Sequence, residues 1–322
     1  MDTFLWSKVL EVGTDFPLQA RGRLFSRHSD ALNLEIDGSS ELVSLVLDEQ
    51  AVNTTSVLLR LERGRLDALP VIDGCAVTVY PSRVRLGPLL VLGLVKHQSG
   101  KEITGPPCYD GAIVAGAVEQ AVFIRSSLPV LVEAILTIGR GRGFAPLARR
   151  LAGKPAWRPA GQVCGNAERA HTPDPFLRAA ARLLDRMCGE SADASAVAAF
   201  VGLGPGFTPS GDDFLAGMLA ARALLGAHPV PATARSQIIG RTAGTTRPGA
   251  TIVLQALAGR FPRYLQRFAA ELAAAAATDG RNAFIRTAVA RAAAHGHSSG
   301  IDAATGFAFG LTTTRSRFIV CP

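Results

Sequence analysis

The hydrophobic pattern of the chain changes period after residue 104. Before it, short apolar runs alternate with polar positions: Gly22-Arg23-Leu24-Phe25, Ala31-Leu32-Asn33-Leu34-Glu35-Ile36, Leu42-Val43-Ser44-Leu45-Val46-Leu47 and Ser56-Val57-Leu58-Leu59-Arg60-Leu61. A period of two with turn residues such as Asp37-Gly38-Ser39-Ser40 between the runs predicts strands. Further strands are expected over 74–80 and 83–95, with Pro81, Gly87 and Pro88 marking breaks. Residues 1–104 therefore read as a largely antiparallel β domain, a small barrel or a sandwich. His28 and Asn33 are its most site-like polar residues, and a surface turn accounts for His28 as well.

Gly105-Pro106-Pro107 reads as a linker, and beyond it apolar residues recur at helical spacing. Helices are expected over 110–126, 128–138, 146–153, 173–187, 194–201, 210–225, 233–242, 248–257, 262–275, 281–294 and 302–311, with a second linker over 154–159. The fold class is α+β: a β-rich domain, 1–104, followed by a mainly α-helical domain, 105–322. Many inward positions are alanine, and Gly306 and Gly310 stand four apart, which lets helices approach closely.

One stretch breaks the helical pattern: Gly202-Leu203-Gly204-Pro205-Gly206-Phe207-Thr208-Pro209-Ser210-Gly211-Asp212-Asp213. Glycines crowded into a loop bury no side chain and lose the most freedom on ordering, so something other than core packing holds them. Pro209 disfavours helix before it, and Ser210 is the expected N-cap, with Asp213 at capping-box spacing. A glycine-rich turn at a helix start offers backbone N–H groups and the positive end of the helix dipole to an anion. Gly204, Gly206, Thr208, Ser210 and Gly211 are accordingly expected to bind phosphate or carboxylate. Asp212 and Asp213 would compete with that anion unless they point elsewhere or a cation stands between. A capped helix with no ligand is the plain alternative.

Two more polar helix starts share this character. Gly244-Thr245-Thr246-Arg247-Pro248-Gly249 places hydroxyls and a cation before a helix whose first position is expected at Pro248. Gly296-His297-Ser298-Ser299-Gly300-Ile301-Asp302 precedes the last helix. Three such starts in one helical domain suggest one shared pocket; independent caps would use the same residue types. The turn Gly139-Arg140-Gly141-Arg142-Gly143 is suited to an anion or to a plain exposed connection.

Composition narrows the chemistry. The chain has 322 residues, a formal charge of +8 and only 6% aromatic residues, and it lacks a dense Lys/Arg tract. Nucleic acid is thus an unfavoured partner. Arginine supplies 30 of the 34 basic residues, which suits fork-like recognition of carboxylate or phosphate. Cys75, Cys108, Cys164, Cys188 and Cys321 are scattered and form no C-x-x-C pair, so reduced, mostly buried thiols are expected in place of disulfides or zinc. No secretory signal pattern begins the sequence, and the apolar window 112–138 is interrupted by Glu119, Gln120, Arg125 and Glu133; a soluble cytoplasmic chain without a membrane partner is expected. His295 and His297 lack the further ligands zinc needs, and no G-x-S-x-G elbow supports a serine hydrolase.

The twelve-residue stretch, Thr245-Thr246-Arg247 and Gly296-His297-Ser298-Ser299-Gly300 with Asp302 resemble the hallmark blocks of a bacterial family, some members of which are described as a subunit of oxamate carbamoyltransferase, the enzyme of anaerobic allantoin breakdown. The resemblance covers the C-terminal third, and the chain departs from the pattern at Pro248-Gly249. It implies carbamoyl transfer between oxalurate and phosphate, giving oxamate and carbamoyl phosphate. It also implies a hetero-oligomer with an acyl-CoA-synthetase-like subunit and a further companion. Under it, Gly204, Gly206, Thr208, Ser210, Gly211, Thr245, Thr246, Ser298 and Ser299 would contact substrate, and Arg247 would neutralise it. Asp212 or Asp213 would orient the carbamoyl nitrogen or hold Mg2+, and His297 would donate to substrate or move protons. A non-catalytic structural or regulatory subunit is the first alternative. A stand-alone phosphate- or nucleotide-binding transferase is the second, with no Walker sequence to support it.

Overall fold

The computed structural model describes residues 3–61, 66–81, 83–87, 90–93, 107–116, 118–153, 174–188, 194–227, 230–275 and 280–312. The expected domain boundary at 104, the linker over 154–159, Cys164 and Cys321 lie outside them. The chain divides into two compact units: Met1–Ala112 with Arg260–Arg263, and Ile113–Gly259 with Tyr264–Pro322.

The first unit is a curled mixed sheet. Its strands are β1 (Thr3–Trp6), β2 (Lys8–Gly13), β3 (Ala20–Arg27), β4 (Ala31–Ile36), β5 (Leu42–Val46), β6 (Ser56–Arg60), β7 (Ala76–Tyr80), β8 (Arg83–Leu86), β9 (Leu90–Gly93) and β10 (Cys108–Tyr109). Their order is β1-β9-β8-β7-β3-β4-β5-β6-β2-β10. β1 and β2 are one run of chain, yet β1 pairs with β9 at one edge and β2 lies between β6 and β10 next to the other edge, so the sheet curls back on itself. The antiparallel expectation holds for most pairs, but β1–β9, β5–β6 and β2–β10 are parallel. Inward positions of the alternating runs, including Leu24, Leu34, Leu45, Val57, Leu59, Val77, Val79 and Val84, form the core. Asn33 is buried among them as a structural group: it donates to Ser26 at 3.0 Å and accepts from Ser44 at 2.7 Å. Of the cysteines, Cys75 is half-buried and Cys108 exposed, and neither forms a disulfide; at these two positions the thiols are less buried than expected.

Arg260–Arg263, far along the chain and ending on the first residue of a helix, completes this first unit. Arg260 pairs with Asp15 and, at 2.8 Å, with Glu41; Arg263 pairs with Glu11 and, at 3.2 Å, with Glu49. The Tyr109 hydroxyl donates to the Phe261 carbonyl at 2.7 Å.

The second unit is helical: α1 (Val118–Ser126), α2 (Leu128–Gly139), α3 (Pro175–Cys188), α4 (Ala194–Ala198), α5 (Ser210–Leu224), α6 (Ala232–Arg241), α7 (Arg247–Leu257), α8 (Arg263–Ala274), α9 (Arg281–Ala293) and α10 (Ser299–Leu311). The expected helix over 110–126 begins only at Val118, because Asp110 accepts from the Ala112 N–H at 3.0 Å and Gly111 takes a positive φ, a turn that helix cannot share. The expected helix over 146–153 is a 3-10 segment, Ala145–Ala152. No single helix among the described residues is long and apolar enough to cross a membrane.

α5 and α10 form the centre of this unit and are buried along nearly their whole length. They touch backbone to backbone. A Cβ on Gly217 would lie 1.9 Å from the Ala303 carbonyl oxygen, and one on Gly306 would lie 1.9 Å from that of Phe214. Phe200 and Phe214 stack at 4.7 Å, and Phe144 meets Phe214 edge-on at 6.1 Å, which closes the apolar layer at one end of the crossing.

Gly306→Ala is expected to destabilise the protein by about 3 kcal/mol or more, the upper range of overpacking, because the obstacle is backbone. Gly240→Ala, on an open face of α6, is expected to be neutral or stabilising by about 1 kcal/mol. Urea unfolding of both checks this, and equal effects would refute the close crossing.

Candidate functional site

The three polar blocks meet at the starts of α5, α7 and α10. Thr208 and Ser299 share a hydrogen bond of 2.9 Å between their hydroxyls, although 91 residues separate them. Thr246 donates to the Phe207 carbonyl at 2.6 Å and caps α7 by accepting from the Gly249 N–H at 3.0 Å. Gly202, Gly204 and Gly206 all have positive φ, which lets the first loop double back over α5.

Asp212 ties two of the loops together. Its Oδ1 accepts from the Gly202 N–H at 2.9 Å and its Oδ2 accepts from the Thr245 hydroxyl. The side chain is fully buried, and Gly249 is packed so closely that a Cβ there would come within 2.2 Å of Oδ2. Burial pushes this carboxyl up to about 6 against the lowering effect of its two donors.

Asp213 and Asp302 form the second pair. Asp302 Oδ1 accepts from the Phe144 N–H at 2.6 Å, while Oδ2 has no hydrogen-bond partner. Burial raises Asp302 to about 6, against the Phe144 N–H, the Ser210 and Ser298 hydroxyls and the Arg142 charge. Asp213 is raised well above the usual carboxylate range, first by burial and then by the charge of Asp302; Ser299 and Thr208 work the other way. Asp213 Oδ2 also lacks a partner. Tyr264, on α8, points its hydroxyl into the same region, where the group is buried and unpartnered. Burial and the charges of Asp213 and Asp302 keep that phenol protonated. The His295 ring stacks on Tyr264 at 4.0 Å and fixes its plane. Among the described residues, no three His, Cys, Asp or Glu side chains gather into a metal-ligating group.

The remaining expected site residues fall as follows. Ser210 is the first residue of α5 and makes no cap; Pro209 holds the N-cap position, and the Ser210 hydroxyl bears on Asp302 instead. The N–H groups of Gly211 and Asp212 are taken by the carbonyls of Leu203 and Pro209, so these two donors are not turned to a ligand. Arg247, expected before the helix, is the first residue of α7, with Pro248 second, and it is half-buried. Ser298 precedes α10, which starts three residues earlier than expected. His297 is exposed, and its carbonyl accepts from Arg142 at 3.0 Å.

Sequence reasoning passed over Asp302, Tyr264 and Phe144 as site residues, and weighed Arg142 only within a turn suited to an anion or to a plain connection. Asp302 had a signal: it is the lone charge in Ser299–Leu311, and a carboxylate in a helix buried all round needs a partner. Tyr264 had none, since its position depends on how α8 packs.

A family model described as oxamate carbamoyltransferase subunit AllH matches residues 200–311, a span that contains all three loops. Over that span, about a third of the chain, the sequence resembles that subunit. No curated protein and no solved structure matches the chain.

Asp212 is destabilising once ionised, since its carboxyl is raised from 3.8 to about 6 in the fold. Its contribution to stability is full below pH 4 and is lost as pH rises to about 6, an amount of about 3 kcal/mol. Asp212→Asn keeps an acceptor for Gly202 and offers a donor to Thr245. In chelator-treated protein the variant should match the parent at pH 4 and exceed it at pH 7. Denaturant unfolding at both pH values checks this; an equal difference at both would contradict the assignment.

Proposed function

We propose that this chain is the substrate-positioning subunit of a carbamoyltransferase that moves a carbamoyl group between oxalurate and phosphate. The observation that carries the reading is the joining of three distant loops, through Thr208–Ser299, Asp212–Thr245 and Thr246–Phe207, inside the segment that resembles the oxamate carbamoyltransferase subunit.

In this reaction a phosphate oxygen attacks the carbamoyl carbon, the bond from that carbon to the oxamate nitrogen breaks, and the nitrogen takes up a proton. Such a transfer needs little covalent help from the protein. It needs the phosphate and the carboxylate held in line, and fixed donors where the carbamoyl oxygen gains charge. The loop N–H groups at Gly204 and Gly206, with Thr208 and Ser298, are the donors in this reading. Arg247, at the N-terminus of α7, neutralises the anion, and His297, exposed on the third loop, serves proton transfer. Asp212 is a positioning residue here, because both of its oxygens are engaged in holding the loops. A cytoplasmic assembly with an acyl-CoA-synthetase-like subunit and a further companion completes the proposal.

The full burial of Asp213 also favours a second reading, in which the loops serve assembly and the chemistry lies on companion subunits. Arg247→Ala in the co-purified complex separates the two. Formation of carbamoyl phosphate from oxalurate and phosphate should fall at least tenfold in kcat/KM with the complex intact, about 1.4 kcal/mol of lost stabilisation. Unchanged kinetics would remove Arg247 from the site, and loss of the complex with the remaining turnover per assembly unchanged would favour the second reading.

A further inference from the structure

A carboxylate oxygen without a donor is costly in a protein interior, and here there are two, on side chains close enough for the charge of Asp302 to act on Asp213. Asp213 and Asp302 are 1% and 0% exposed, and neither Oδ2 has a hydrogen-bond partner. The third unpartnered buried oxygen is the Tyr264 hydroxyl, on a different helix, 5% exposed and within reach of the charges of both aspartates. An ionised carboxylate in such surroundings is tolerated only when paired, hydrogen-bonded or bound to a metal. Arg142 is the cation that acts on Asp302, and its guanidinium is committed to the carbonyls of His297 and Gly139 at 3.0 and 3.3 Å.

We infer that Asp213 and Asp302 bind one hard divalent cation of the Mg2+ class through their Oδ2 atoms, with the Tyr264 hydroxyl facing the same ion. The donor set is oxygen only, carboxylates and hydroxyls, which selects Mg2+, Mn2+ or Ca2+ over the softer metals that prefer imidazole or thiolate. Thr208 and Ser299 on the Asp213 side, and Ser210 and Ser298 on the Asp302 side, supply neutral oxygens around the pair. Two carboxylates with hydroxyls need no third acid. Asp212 is left out of this set because the Gly202 N–H and the Thr245 hydroxyl already occupy its oxygens. The cation also resolves the conflict between acidic residues and an anion at the same helix starts, since it attracts both. The inference stands apart from the reaction proposed above, and its test reads metal and not turnover.

Chelator-treated full chain is titrated with Mn2+ and bound metal is followed by electron paramagnetic resonance, with Mg2+ as competitor. One Mn2+ per chain, displaced by Mg2+ and accompanied by a higher thermal midpoint, is expected. Asp213→Asn and Asp302→Asn should each weaken Mn2+ binding at least tenfold, and Asp212→Asn should retain it. Tyr264→Phe, which keeps the stacked ring, should weaken it several-fold and provides a variant that preserves the core. Absence of stoichiometric Mn2+ binding by the parent chain would overturn the inference, whatever the variants do, and so would binding that survives both Asp213→Asn and Asp302→Asn. In either of those cases the two carboxyls are left to share a proton.

Discussion

Where α5 and α10 cross, no side chain stands between their backbones, because a Cβ on Gly217 or Gly306 would strike a carbonyl oxygen of the opposite helix. Helices of ordinary composition are held apart by the side chains at their contact. Gly306 meets Phe214 and Gly310 meets Met218, so the helices run in the same direction and their N-terminal turns, which carry Asp213 and Asp302, lie at the same end. The pair of aspartates is thus a product of the crossing. Phe144, Phe200 and Phe214 pack against one another beside this pair, and burial is the largest influence on the proton affinity of each carboxyl.

Buried acids also secure the loops. Asp212 takes one donor from the loop before α5 and one from the loop before α7, so a single carboxylate fixes the gap between two segments about which helix propensity says nothing. The Asp302 oxygen plays the matching part for the turn after α2, where it receives the Phe144 N–H. Gly143 precedes that N–H with a positive φ, and a Cβ there would fall 2.1 Å from the carboxylate. Asp212 and Asp302 therefore each have a glycine against them, Gly249 and Gly143, which make room for carboxylates as much as for an incoming ligand.

The sequence was informative wherever a local rule decides the outcome. Alternation marked β3 to β8, and helical spacing marked α5 to α10 to within three residues, because those segments bury one face or all of it. It was misleading at Ser210, where capping chemistry predicted an N-cap and the hydroxyl instead serves Asp302 from inside the helix. It was silent on Tyr264, whose approach to the aspartates depends on the packing of a separate helix. The anion expected at the start of α5 shows the limit most clearly. Glycines and a helix N-terminus predict free donors, yet Gly211 and Asp212 give theirs to carbonyls within the same loop.

The four residues Arg260–Arg263 have a consequence for how the chain is made. They belong to the β unit, with Arg260 and Arg263 answering acids on and just after β2 and on either side of β5, but they are encoded after α7. A nascent chain emerging from the ribosome therefore has every strand of the sheet in hand long before the two arginines that neutralise Glu11, Asp15, Glu41 and Glu49. The β unit waits for most of the helical unit to be synthesised before its charges are balanced, and a cut between the two would have to be made in three places.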